Sequence, residues 1–468
     1  MMKTLLRWSA GIVLALLALL AIFVVALAAA NWRDDPLTPA AARLLAPPAL
    51  PVSDAPNAYY VLLGMDAPDG EDAQAAGRRI RAEIDRQFRE NPARTDYSQP
   101  PYNKAICSSW YDTACSWSQF RCPWRTRVDC VAFYLTAKPR MLQGMAEQAV
   151  LRQRYRQFSQ IPVFVEPLRH SAQEPWPNDS ALMQAAEMRL VEAVLACDSG
   201  DLAAGAQILV QEIRVHRRLL ADSSQIITKM MAVALLRRDY AVLSNAIEHW
   251  PPLARQTALT EAWQPLQARE YDMRREIESD AAGKANLLYQ ALQTPARSGK
   301  FLDRLYAHFG LPNATVNTLA RWTAENVRSA EGDPSTADAR HRAAIDRMSK
   351  EASQVAPYAS WRFIRNPEGK TLLLMTHIDW TAYAERIYDL DGYIRLVALQ
   401  AALQRDGVPL AQVAGYVQRA GPDLRNPYDR QPMQWDAARS MLSFEGRQQA
   451  FLKSDDAPKV FKAYLKEQ

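Results

Sequence analysis

Between Trp8 and Trp32 the chain carries no charged residue, and Gly11 to Ala30 is almost entirely Ala, Leu, Ile, Val and Phe. As a helix rising about 1.5 Å per residue, this run spans a hydrocarbon core of roughly 30 Å. Lys3, Arg7 and the amino terminus precede it, whereas Arg33 is followed at once by Asp34 and Asp35. That basic bias predicts a cytoplasmic N-terminus and delivers the rest of the chain to the far side of the membrane. Trp8 and Trp32 bracket the span where interfacial aromatic belts form. The competing reading is a cleaved signal peptide, because Ala26-Leu27-Ala28 and Ala28-Ala29-Ala30 offer small residues at cleavage-site offsets. The run exceeds the usual ~7–15-residue signal core, which favours a retained anchor. No Cys immediately follows it, which argues against a lipoprotein.

The cysteines fit that compartment. Cys107, Cys115, Cys122 and Cys130 form an even group outside the cytoplasm, the pattern of two disulfides. Three connectivities exist. The near-symmetrical spacing favours a nested one, with Cys107 joined to Cys130 and Cys115 to Cys122. Structural zinc is the alternative, but the close C-x2-4-C pairs it uses are missing. Trp110, Tyr111, Trp117, Phe120 and Trp124 crowd the same stretch. They either fill a small bridged core or stack on the sugar rings of envelope glycans. Trp110, Tyr111, Trp117 and Trp124 are the candidate glycan contacts.

Over the whole chain, apolar residues at 49% and charged residues at 23% match globular chains and exclude wholesale disorder. Only 17 glycines among 468 residues, with recurrent Ala, Leu, Arg and Gln, favour helices over hairpins. A net charge of +5 without a Lys/Arg run gives no footprint for nucleic acid. The expectation is a mainly α protein: a transmembrane helix, then a helical-hairpin periplasmic body with a disulfide-stapled loop and small β-hairpin elements near the C-terminus.

Composition divides the chain into a cytoplasmic tip and transmembrane helix (1–32), a Pro-rich linker (33–56), a Cys-containing subdomain (57–175), an α-helical array (176–355) and a C-terminal α/β-hairpin segment (356–468). The linker prolines predict an extended spacer that lifts the body off the membrane. A helix is expected over about 72–88, another helical stretch over 132–158, and the clearest block over 178–249. There Leu209, Ile213, His216 and Leu220 share a face, and Asp198-Ser199-Gly200-Asp201 breaks the chain into antiparallel neighbours. Further helices are expected over 257–292, 301–309, 316–330, 337–354, 380–405 and 410–419. Residues 360–375 read as a β-hairpin or as a loop running into a helix, and Gln434-Trp435 pairs with Met441–Phe444 as short strands.

Three phrases stand out: Asn57-Ala58-Tyr59-Tyr60 with Leu63-Gly64-Met65-Asp66-Ala67-Pro68, Arg365-Asn366-Pro367-Glu368-Gly369-Lys370, and Asn426-Pro427-Tyr428-Asp429-Arg430-Gln431-Pro432-Met433-Gln434-Trp435. With them the chain resembles a family of N-terminally anchored envelope proteins of Gram-negative bacteria. The resemblance spans most of the body and implies a periplasmic location. That family has no assigned reaction, so it implies no catalytic residues. The third phrase also resembles the terminal Asp-Pro-aromatic-x-Gly-x-Pro loop of pseudopilins. Arg430 replaces its Gly and the acidic tail is missing, so calcium is not implied.

Reaction motifs are wanting. Gly369-Lys370-Thr371 lacks the first glycine of a phosphate loop, and there is no His-Glu-x-x-His or Gly-x-Ser-x-Gly. Cys197 and His216 form the one nucleophile-and-base combination worth testing. The helical hairpin should hold them roughly 20 Å apart, as a buried thiol and a core histidine. Neither His377 nor Asp379 nominates a dyad. No catalytic residue, cofactor or metal ligand is assigned. The sequence expects a single-pass inner-membrane protein with a periplasmic scaffold body, an unidentified periplasmic protein partner and no nucleic-acid partner. A glycan (peptidoglycan)-binding module or glycan-acting enzyme is the alternative, and a carboxylate pair assembled from distant segments would support a hydrolase.

Overall fold

The computed structural model describes residues 2–46, 55–90, 122, 129–168, 177–293, 309–337, 339–344, 346–347, 364–376, 378, 380–447 and 460–465. The chain is mainly helical. Helix α1 (Met2–Ala30) contains the apolar run, whose mean hydropathy over Gly11–Ala30 is 3.2. It is long and apolar enough to cross a membrane, and only 6% of that window is buried against the protein.

The expected spacer is in part something else. Thr38 caps a short helix α2 (Pro39–Leu45), with Pro39 in the first turn, where its missing N–H costs nothing. Ala41 and Leu44 are buried in a small core with α12 (Arg274–Gln293), α13 (Pro312–Ala330) and α14 (Pro367–Met375). Apolar burial there outweighs the extended preference of the flanking prolines.

The second stretch starts with α3 (Ala58–Leu63) and α4 (Ala73–Glu90), which cross closely. A Cβ on Gly77 would lie 1.8 Å from the Tyr60 carbonyl oxygen, and one on Gly64 would lie 2.1 Å from that of Ala73. No larger residue fits. The helical pattern over 132–158 resolves into α5 (Cys130–Thr136), α6 (Lys138–Glu147) and α7 (Ala149–Gln160), with Pro139 in the first turn of α6.

Helices α8 (Asp179–Asp198), α9 (Leu202–Asp222) and α10 (Ile226–His249) form the antiparallel array. Asn178 and Asp201 cap the first two through side-chain bonds to Ala181 N and Ala204 N. The third is capped from outside its own sequence. Glu166 accepts from Ser224 N, Gln225 N and Thr228 Oγ1, the last two at 2.9 and 2.7 Å. Pro251 and Pro265 divide the next stretch into two 3-10 segments and the four-residue α11 (Ala268–Tyr271) before α12.

Helix α15 (Thr381–Arg405) runs through the middle of the body and is buried along most of its length. It packs on α10, and Gln400 bonds Ser244 O at 3.2 Å and Tyr464 O at 2.8 Å. After α16 (Val413–Arg419), strands β1 (Gln434–Asp436) and β2 (Met441–Glu445) pair antiparallel, with Trp435 opposite Leu442. A further strand, β3 (Val460–Tyr464), completes a sheet of order β1-β2-β3. One large core contains residues from 58 to 465, so the three body segments read from composition share it.

The nested disulfide pattern is overturned, because Cys122 is bonded to Cys130, with Cα atoms 5.6 Å apart. Both ends are held by the array: Cys122 N donates to Glu187 and Cys130 N to Asn245, each at 3.1 Å. The two-bridge scheme compatible with this bond pairs Cys107 with Cys115, which lie outside the described residues.

Candidate functional site

Two collections of charged side chains sit in the body, one sealed and one open. The sealed one fills the centre of the array. His216 is fully buried, with Nδ1 2.6 Å from Asp239 Oδ2 and Nε2 3.0 Å from the Tyr155 hydroxyl. Tyr155 OH donates to Glu212, and Arg189 lies 3.4 Å from the other Glu212 oxygen. With Tyr155 donating to Glu212, Nε2 of His216 donates to Tyr155 and Nδ1 faces the Asp239 carboxylate, an arrangement that suits the imidazolium. Burial opposes that charge, but the Asp239 carboxylate and then Glu212 outweigh it and raise the His216 pKa. Burial pushes Glu212 up to about 7. Beside this chain, Glu187 accepts from Tyr134 OH at 2.5 Å and pairs with Arg238 at 2.5 Å. Such a network specifies how α5, α7, α8, α9 and α10 meet, and Tyr155, Glu187, Glu212, His216, Arg238 and Asp239 are all buried in it.

The open collection is a cavity of about 560 Å³, within the range that encloses small ligands. The turn before α11 contributes Leu266, α11 contributes Arg269 and Tyr271, and Asp272 follows. The turn after α13 contributes Glu331, Gly332 and Asp333, α15 contributes Arg395, and the loop before β1 contributes Pro427 and Arg430. Each is positioned by local bonds. Arg395 is fixed by Asp391 at 2.6 Å and Pro422 O at 3.0 Å. Asp391 also accepts from Leu266 N at 2.8 Å, tying α15 to the α11 turn. Asp333 accepts from Ser335 N at 2.8 Å and pairs with Arg430 at 2.5 Å.

The 426–434 loop closes on itself. Arg430 N donates to Asn426 O at 2.9 Å, Asn426 N to Gln431 O at 3.0 Å, and Tyr428 N to Asn426 Oδ1 at 2.9 Å. That geometry holds Arg430 at φ 60°, where glycine is the comfortable residue. Tyr428 points the other way, into a bond of 2.6 Å with Asp389, and lines a second cavity of about 350 Å³. Burial first, then the Asp389 carboxylate, raises its pKa. The loop is therefore a partition between two cavities.

The open cavity fits recognition better than proton transfer. A glycan hydrolase needs one carboxyl with a raised pKa opposite an ionised one. Partial burial pushes Asp333 up, but bonds from Ser335 and the charges of Arg430 and Arg395 keep it below its usual value. Glu331 is paired with Arg274.

The remaining sequence candidates are placed as follows. Trp110, Tyr111, Trp117 and Trp124 lie outside the described residues, as do Phe120, His377 and Asp379. Cys122 and Cys130 are joined and buried. Cys197 is a buried free thiol at the end of α8, and burial pushes its pKa up to about 11. Asp239 and Tyr155 occupy both nitrogens of His216, so no Cys-His dyad forms. Among the described residues, no group of three His, Cys, Asp or Glu could hold a metal ion. Sequence reasoning singled out the 426–435 phrase but missed Arg269, Tyr271, Asp333 and Arg395, which sit in unremarkable helical or turn contexts.

Two of the standout phrases prove to be joints. Asn57 caps Tyr59 N and bonds both N–H and C=O of Val165, while Arg154 gathers the carbonyls of Met65, Ala67 and Pro68. Arg365 donates to Ala30 O at 2.7 Å and pairs with Asp35, and Asn366 N donates to Asn31 Oδ1 at 2.7 Å. In comparisons with protein-family models, curated proteins and solved structures, nothing matches this chain.

Proposed function

We propose that the protein is a single-pass inner-membrane protein, its N-terminus cytoplasmic and its helical body a periplasmic interaction scaffold. The observation that carries this reading is the junction between α1 and the body. Leu27 is 1% exposed, Asn31 Nδ2 bonds both Leu27 O and Ile364 O, and Arg365 holds Ala30 O. Asp34 accepts from Asn313 N and Ala314 N, the first turn of α13. The end of the apolar helix is thus part of the body's tertiary structure, which supports a retained anchor. The buried Cys122–Cys130 bond supports an oxidising compartment. A cavity that favours recognition supports a binding role.

The test is topology and mass in cells. The full-length chain should stay in the membrane after an alkaline wash, and a C-terminal reporter should be active only outside the cytoplasm. In-cell crosslinking should yield one defined heteromeric species. A mature N-terminus at Asn31, a reporter active only inside, or a body recovered solely as monomer would overturn the reading.

A further inference from the structure

We infer that the cavity between α11, the turn after α13 and the 426–434 loop binds a short peptide with free ends, an amino acid being its one-residue limit. The argument starts from charge accounting within the cavity. Six of its lining side chains are charged: Arg269, Arg395, Arg430, Asp272, Glu331 and Asp333. Four have ion-pair partners, Arg430 with Asp333, Arg395 with Asp391 and Glu331 with Arg274. The other two are of opposite sign. Among the described residues the Arg269 side chain has no hydrogen bond or ion pair, and Asp272 makes no ion pair, its Oδ1 accepting from Arg274 N at 2.9 Å while the Arg274 guanidinium, bound to Glu331, feels its charge. The cavity therefore offers one cation and one anion beyond those it neutralises itself.

The chemistry of the two groups selects the ligand. A guanidinium matches a carboxylate in its two-pronged geometry, and an aspartate accepts N–H bonds from a primary ammonium. A phosphate dianion would face Asp272, Glu331 and Asp333 together, and a quaternary ammonium has no N–H to donate. The same cavity is lined by Leu266, Tyr271, Pro334 and Pro427, apolar surface against which small side chains of the ligand lose water. Arg430 lines the cavity from a loop position whose φ of 60° favours glycine, paired there with Asp333. The inference stands on these side chains and does not depend on membrane anchoring.

The test uses full-length protein in nanodiscs, titrated with an unblocked di- and tripeptide library and followed by native mass spectrometry and calorimetry. At least one member should bind saturably. Its N-acetylated and its C-amidated forms should each bind about tenfold more weakly or worse. Arg269→Ala should cause a similar loss and make C-amidation cost nothing further, and Asp272→Asn should do the same for N-acetylation. Both side chains are exposed, so an unchanged melting temperature shows that these variants are folded. Absence of saturable binding by any member, equal binding of blocked and unblocked forms, or unchanged affinity in both folded variants would each overturn the inference.

Discussion

The sealed network around His216 and the open cavity beside Arg430 are built from the same residue types, yet they differ in how completely their charges are matched. In the first, Asp239, His216, Tyr155, Glu212 and Arg189 form an unbroken chain with every residue but Arg189 almost wholly buried. In the second, pairing stops short by one Arg and one Asp. Taking a charge out of water costs several kcal/mol unless it is paired, so a dry network has to close on itself. A cavity wall meets no such demand, and its leftover charges remain available to a ligand. Completeness of pairing separates architecture from site here, more clearly than residue type or proximity does.

That contrast can be broken most forcefully at Arg238, which pairs with Glu187 in the dry centre. Arg238→Met leaves Glu187 buried without its counter-ion, and unfolding in denaturant should show a loss of about 3–5 kcal/mol. A loss no larger than that of a surface substitution would mean that water reaches the network.

The next effect is pH dependence. Burial raises Glu166 and Glu212 to about 7 and Asp179 to about 6, and His216 is raised as well, chiefly by Asp239 against the opposing effect of burial. Groups bound more tightly to their protons in the folded state stabilise it fully below the unfolded pKa, and that contribution is lost as pH rises through the folded value. Stability should therefore fall as pH rises through about 5 to 8. The lowered carboxyls Asp72, Glu261, Glu325 and Asp333 act in the opposite sense, at pH values below that window. Glu212→Gln should flatten the profile. A profile that rises toward pH 8 would place the network in contact with solvent.

The smallest effect belongs to the cavity. Arg430→Gly relieves roughly 1 kcal/mol of backbone strain and removes an exposed ion pair worth about 0–1 kcal/mol. The melting temperature should hardly move. A large loss would show that this loop is architectural like the sealed network, erasing the distinction between the two regions.

Legibility in the sequence follows the range of the forces involved. The breaks of the array at Asp198–Asp201 and the long helix over Thr381–Arg405 depend on caps, glycine and apolar spacing within one turn, and they are where the pattern puts them. The β1–β2 pairing was equally readable, its strands being neighbours in the chain, whereas β3 was not, because it returns to β2 from farther along the chain and no short turn joins the two. The disulfide partner was misread because spacing symmetry says nothing about Glu187 and Asn245, which hold Cys122 and Cys130 from more than sixty residues away. For the cavity, the 426–435 phrase was visible, but its opposite walls were not.

From its order of residues alone, this chain specifies an apolar N-terminal helix able to cross a membrane, a mainly helical body and the punctuation between its helices, all properties of neighbouring residues. Only the tertiary structure decided that Ala41 and Leu44 after the anchor dock in a short helix instead of extending, that Cys122 meets Cys130, and that Arg269 and Asp272 face a common space with no ion-pair partner for either among the described residues. Those outcomes depend on which distant groups arrive within a few ångströms of each other. Burial and charge matching set that distance, and no local pattern encodes it.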